Sequence, residues 1–274
     1  MAIHALDLTG EIITSPFTYI ATANIIDWER CRPVFAEIDP GTWNLDPARI
    51  EEAITERTTA IMPVHVFSAP CDIEAIDQIA KRHGLKVIYD AAHAMAVSYR
   101  GKSVLRYGDV SCVSFHATKL YNATEGGACV TDDDALAARI RRMRAYGFNT
   151  QKEIADAGMN AKMTEVHAAI GLANFGTIDA VLANRRRKWT IYKERLKHVD
   201  FLTFQQHSAD EYNYTYFPVL FDSEARLLSV FERLEADNVF PRRYFYPALH
   251  TVSLFAPQRP LPIAEDVSPR AACL

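Results

Sequence analysis

The sequence predicts an α/β fold: a large domain built on a mostly parallel sheet, followed by a smaller C-terminal α+β unit. Three observations carry that prediction. From Glu11 to about Val130, short apolar runs alternate with amphipathic segments, which is the pattern of stacked βαβ units. Between those runs, helix starts and stops are marked by capping residues. After Gly158 the alternation gives way to one long helical stretch and then a β-α-β segment. At 274 residues the chain exceeds one typical domain, which fits a division into 1–175 and 176–274.

The elements follow in order. "MAIHALDLTG" reads as the end of an amphipathic helix. The predicted strands are "EIIT" (11–14), "RPVFAEI" (32–38), "TAIMPVHV" (59–66), "KVIYD" (86–90), "VSCVSF" (110–115) and "GACVT" (127–131). In "LDPARIEEAI", Asp46 is an N-cap with Pro47 at the first helical position, and the segment from Asp72 ends at Gly84, a glycine stop. "TDDDALAARIRRMR" places acids in its first turn and arginines near its end, matching the helix dipole. The stretch from Met163 to Leu196 reads as helix with a break near Gly176. "YNYTYFPVLF" (212–221), a helix over about 223–236 and "VFPRRYFYP" (239–247) complete the small unit as strand, helix and strand.

Composition excludes several classes. Hydrophobic residues make up 49% and charged ones 23%, ordinary globular usage with no apolar run of membrane-spanning length. Thirty Lys and Arg against 34 Asp and Glu give a net charge of -4, which argues against a nucleic-acid partner. The basic run Arg185 to Lys188 reads as a solvated helix face. Five cysteines lack CxxC spacing, so neither a disulfide framework nor a metal site is expected. A cytoplasmic location is expected.

The chemistry concentrates in two segments. Open parallel sheets bind ligands at the carboxyl ends of their strands. In "VIYDAAHA", Asp90 ends an apolar strand and His93 follows three residues later. A carboxylate there is costly unless a cation or hydrogen-bond donor meets it, and a protonated pyridine nitrogen is such a partner; an N-cap role is the alternative. In "SFHATK", Ser114 and Lys119 leave the next strand end together, offering a hydroxyl for a phosphate and an amine for an aldehyde. A lone lysine or serine after a strand is usually a surface or turn residue. Together the two segments supply the parts of a pyridoxal phosphate site.

Six ordered blocks strengthen that reading: "SPFTYIATANI", "PVFAEIDPGTWNLDPARIEEAITERTTAIMPVHVF", "GLKVIYDAAHA", "GDVSCVSFHATK", "EGGACVTDDDAL" and "MNAKMTEVHAAIGLA". In this order they resemble the DegT/DnrJ/EryC1/StrS family of pyridoxal-phosphate-dependent aminotransferases of nucleotide-linked sugars. The resemblance implies the fold type I, aspartate aminotransferase-like large domain and a homodimer with the site at the subunit interface. It implies Lys119 as the lysine that binds the cofactor aldehyde and moves protons, with Asp90 as the partner of the ring nitrogen. Tyr19 would stack on the ring, His93 would meet its edge, and Ser114 would hold the phosphate. Asn160 and Lys162 match the segment that reaches the phosphate of the partner subunit. Arg243, Tyr246 and His250, with Arg242, fall in a region that implies substrate contact.

Glutamate is the donor the resemblance implies, and the acceptor would be dTDP-4-keto-6-deoxyglucose or its 3-keto isomer, in deoxysugar and O-antigen synthesis. A histidine replaces the lysine in related sugar dehydratases, so Lys119 argues against that branch. Family members also carry an earlier helical segment with a Gly-Thr phosphate motif and a further C-terminal helix. Both ends of this chain therefore read as cut, leaving a small domain that is incomplete. Weak cofactor binding is the expectation, since each lost charge-assisted phosphate bond is worth roughly 1.5–3 kcal/mol. The alternative is a non-catalytic or regulatory relative that binds the cofactor without transferring an amine.

Overall fold

The computed structural model describes residues 1–274. Its strands are β1 (Glu11–Thr14), β2 (Arg32–Phe35), β3 (Thr58–Met62), β4 (Lys86–Asp90), the short hairpin β5 (Ser98–Tyr99) and β6 (Lys102–Ser103), β7 (Val110–Ser114), β8 (Gly127–Val130), β9 (Leu202–Phe204), β10 (Pro218–Phe221) and β11 (Ala271–Cys273). The helices are α1 (Ala2–Ala5), α2 (Ala21–Trp28), α3 (Pro47–Ile50), α4 (Ile73–His83), α5 (Asp134–Arg144), α6 (Glu165–Phe175), α7 (Ile178–Leu196), α8 (Glu224–Ala236) and α9 (Pro262–Arg270).

The main sheet runs β2-β1-β3-β4-β7-β8. All neighbours are parallel except the antiparallel edge pair β7–β8. Strand order reverses between β1 and β3, so a crevice opens at their carboxyl ends. Every main-sheet strand expected from the sequence is present, with β2, β3, β7 and β8 ending earlier than their predicted runs. The predicted caps hold as well. Asp46 accepts from the Ala48 N–H, Asp72 from Ala75, and Gly84 takes the left-handed conformation (φ 64°) that ends α4. The helix break near Gly176 is real, for α6 and α7 meet at a bend of 62°. No single helix is long and apolar enough to cross a membrane.

The small sheet is not strand-helix-strand. It is antiparallel, in the order β11-β10-β9, and residues 239–247 contribute only an isolated bridge between Arg242 and Cys273. Pro241 and Pro247 deny that segment two backbone donors, which removes it from a ladder. The strand beside β10 is instead Ala271–Cys273.

One hydrophobic cluster joins the two sheets. Phe17, Trp43 and Phe67 from the main-sheet side pack with Leu220, Phe245 and Cys273. Glu37 adds a polar tie. This buried carboxylate accepts from the N–H groups of Ile263 (2.9 Å) and Ala264 (3.0 Å), capping α9 from the loop after β2. All five cysteines are free; Cys31, Cys71 and Cys273 are buried, and Cys112 and Cys129 half-buried.

Candidate functional site

A cavity of about 360 Å3 lies at the carboxyl ends of β1, β3, β4 and β7, within the range of small-molecule sites. Asp90 enters it from the end of β4. Its Oδ1 accepts from the Ala92 N–H at 3.0 Å and its Oδ2 from the Thr22 hydroxyl at 2.7 Å. Thr22 spends its proton on Asp90, so the 3.1 Å contact with Thr18 has Thr18 as donor. This Thr18–Thr22–Asp90 chain fixes the carboxylate from α2. The sequence reading missed it, because a threonine in a helical run carries no signal of its own.

Lys119 lines the same cavity after a turn in which its N–H bonds to the His116 carbonyl. Burial pushes its amine below the usual lysine value, and the Asp90 carboxylate pulls the other way. The two groups are therefore within electrostatic reach of each other. The glycine pair that follows has a geometric cause. A Cβ on Gly127 would sit 2.6 Å from the Val113 carbonyl oxygen, and Gly126 has φ 144°. Glycine lets β8 close against β7, and that contact holds the Ser114–Lys119 turn over the cavity.

His93 is buried. Its Nδ1 accepts from the Phe67 N–H at 3.3 Å, which leaves the ring proton on Nε2. Burial first, then Lys119, hold it well below the usual histidine range, so it is neutral at pH 7. The imidazole lies parallel to Phe67 (6.2 Å between centroids) and Phe245 (5.9 Å), and tilts against Tyr216 at 4.6 Å. Tyr216, Tyr244 and Phe245, none of them named from the sequence, form the wall contributed by the C-terminal part. Ser114 Oγ accepts from the His116 N–H at 3.3 Å, so its own proton is free to donate. Tyr19 also lines the cavity and is largely exposed.

Six residues named from the sequence, Arg242 among them, do not line this cavity. Asn160 and Lys162 are bonded to each other, and Lys162 sits 4.2 Å over the Tyr146 ring. Arg243 pairs with Glu224, donates to the Pro269 carbonyl at 3.0 Å and covers the Tyr246 ring at 3.6 Å. His250 is buried with Nε2 3.0 Å from Glu265 Oε1. Their neighbours Tyr244 and Phe245 face the cavity instead, since the segment turns rather than running as the expected strand.

The cavity thus gathers a fixed carboxylate, an amine held below its normal basicity, a neutral imidazole and a free hydroxyl. That donor set fits pyridoxal phosphate: an anion for the ring nitrogen, an amine for the aldehyde and donors for the anionic groups.

The comparisons agree with this assignment. The chain is 43% identical over 251 residues to a dTDP-4-amino-4,6-dideoxy-D-glucose transaminase of Shigella dysenteriae, covering 90% of this chain and 68% of that protein. An Escherichia coli protein of the same name is 36% identical over 284 residues, covering 100% and 76%. A crystal structure of DesI in the presence of its TDP-sugar product superposes with TM-score 0.93 at 39% identity, covering 100% of this chain and 71% of that one. The DegT/DnrJ/EryC1/StrS aminotransferase family model matches residues 1–274. The chain belongs to that family of pyridoxal-phosphate-dependent nucleotide-sugar aminotransferases.

Proposed function

We propose that this chain transfers an amino group from glutamate to dTDP-4-keto-6-deoxyglucose or its 3-keto isomer, and that Lys119 and Asp90 carry the chemistry. The observation behind this reading is the meeting of Lys119 and Asp90 in one cavity, with the amine made less basic by burial.

Pyridoxal phosphate, when bound, supplies an aldehyde that condenses with amines and a protonated ring that accepts the electron pair released beside it. In this reading Asp90, steadied by Thr22 and Ala92, would hold the ring nitrogen and keep it protonated. Lys119 Nζ would hold the aldehyde, and as a free amine it would lift the proton from the donor's α-carbon. A lysine of lowered pKa suits both tasks, because more of it is unprotonated near neutral pH. His93, through Nε2–H, would meet the ring edge, Ser114 would donate to the phosphate, and Tyr19 would cover the ring. In a homodimer, Asn160 and Lys162 reach the partner's site from the exposed segment they occupy.

An absorbance spectrum with added pyridoxal phosphate tests the site. An imine band is expected at roughly 400–430 nm, absent in Lys119→Ala and bleached by glutamate. A band that persists in Lys119→Ala sinks the assignment of that lysine. Mass analysis of the products with each keto sugar then tests the acceptor: no amino sugar and no 2-oxoglutarate would leave the relative that binds cofactor without transferring an amine.

A further inference from the structure

Cys112 and Cys129 face each other across β7 and β8. The Phe115 N–H donates to the Gly126 carbonyl at 2.9 Å. Bonded and non-bonded pairs alternate along an antiparallel ladder, so counting back from that bond makes Cys112 and Cys129 a non-hydrogen-bonded pair. Such partners have Cα atoms about 4.5 Å apart, with their side chains at closest approach. A disulfide spans Cα separations of about 4.4–6.8 Å. The two thiols act on each other: Cys112 lowers the Cys129 thiol, while Cys129 and burial raise that of Cys112.

Both cysteines line a second cavity of about 490 Å3, which also reaches Asp90 and Ser114. The other three cysteines differ. Cys31, Cys71 and Cys273 are buried, and burial pushes each thiol up. The cavity beside Cys112 and Cys129, with the lowered Cys129 thiol, singles out the cross-strand pair. The bland reading is that Cys112 and Cys129 only fill space beside the apolar cluster that includes Ile12 and Ile88.

We propose that Cys112 and Cys129 form a dithiol site that low-molecular-weight disulfides convert, reversibly, into a cross-strand disulfide. The Cys129 thiolate attacks one sulfur of the small disulfide and expels its first thiolate, giving a mixed disulfide. The Cys112 thiolate then attacks Cys129 Sγ and expels the second. Two protons pass from the protein thiols to the two departing thiolates, the protein gains one S–S bond, and the small disulfide is reduced to two thiols. Asp90 is the register partner of Cys112, and the Ala91 N–H bonds to the Cys112 carbonyl at 2.9 Å. The bridge would thus form one strand away from the carboxylate of the cofactor cavity.

The test is oxidised glutathione added to the full 274-residue chain, followed by intact mass and tryptic mapping without reductant. A mass loss of about 2 Da, reversed by dithiothreitol, is expected. Peptides 107–119 and 120–139 should be joined. Cys112→Ala should instead keep one glutathionyl group on Cys129, because it has lost the resolving thiol. An unchanged mass, a lasting adduct on the unsubstituted chain, or bridging through Cys31, Cys71 or Cys273 would each overturn the proposal. The peptide map of the unsubstituted chain decides even if Cys112→Ala fails to fold.

Discussion

At the scale of single residues, the decisive feature is how Asp90 and the histidines are held. Thr22 gives a charge-assisted bond to Asp90, and such bonds are worth about 1.5–3 kcal/mol. Thr22→Val should therefore weaken cofactor binding by roughly ten- to a hundred-fold while leaving the fold intact. Titrating pyridoxal phosphate into the variant measures this, and unchanged affinity would remove Thr22 from the site. His65 makes a different prediction. It is fully buried, its Nδ1 accepts from the Cys71 N–H, and burial lowers its pKa from 6.5 to about 3. The folded chain refuses that proton until pH about 3, whereas the unfolded chain binds it below 6.5. The unfolded state holds more protons throughout that window, so stability falls as pH drops through it, by up to about 1.4 kcal/mol per pH unit from this residue. Denaturant midpoints at pH 7 and 5 should differ less in His65→Asn than in the unsubstituted chain; equal differences would refute the account.

At the scale of elements, legibility followed the length and caps of each segment. The six main-sheet strands and α4, α5 and α8 could be read because apolar runs, Asp72, Asp133 and Ser223 mark them locally. Strands β9 and β11 were invisible, since three residues such as "LTF" or "AAC" show no period. The 239–247 segment looked β-like by composition, yet its two prolines turn it, and that turn delivers Tyr244 and Phe245 to the cavity. In the candidate site, Asp90 and Ser114 could be read because they end strands, and His93 and Lys119 because they follow those ends closely in sequence. Thr22 and the aromatic wall could not, because only tertiary packing brings them there. Glu37 belongs to this scale too. Glu37→Ala would strip the buried N–H groups of Ile263 and Ala264 of their acceptor, costing about 1–3 kcal/mol for each orphaned group. Hydrogen exchange in α9 should accelerate well before the main sheet opens; an unaltered α9 would show the cap to be dispensable.

At the scale of the whole molecule, the aromatic cluster holds the cavity and the interface between the sheets at once. Phe245 stacks on Phe67 at 5.1 Å and meets Phe17 edge-on at 5.5 Å. Phe245→Ala should cost about 3–5 kcal/mol of stability and also weaken cofactor binding, since the same ring lies parallel to His93. Thermal unfolding with and without pyridoxal phosphate separates the two effects; lost stability with undiminished cofactor stabilisation would mean that the wall is structural only.

The Glu37 tie also bears on how the protein is made. Ile263 is 226 positions from Glu37 along the chain, and the cavity joins Thr18 and Tyr19 to Tyr244 and Phe245. Closing so long a loop costs little more than closing one half its length, about 0.6 kcal/mol per doubling, but it delays assembly. On the ribosome, Asp90 and Lys119 emerge early and wait, with no finished pocket between them, until Tyr244 and Phe245 follow. The interval before that segment follows is when a half-built sheet most needs protection from aggregation.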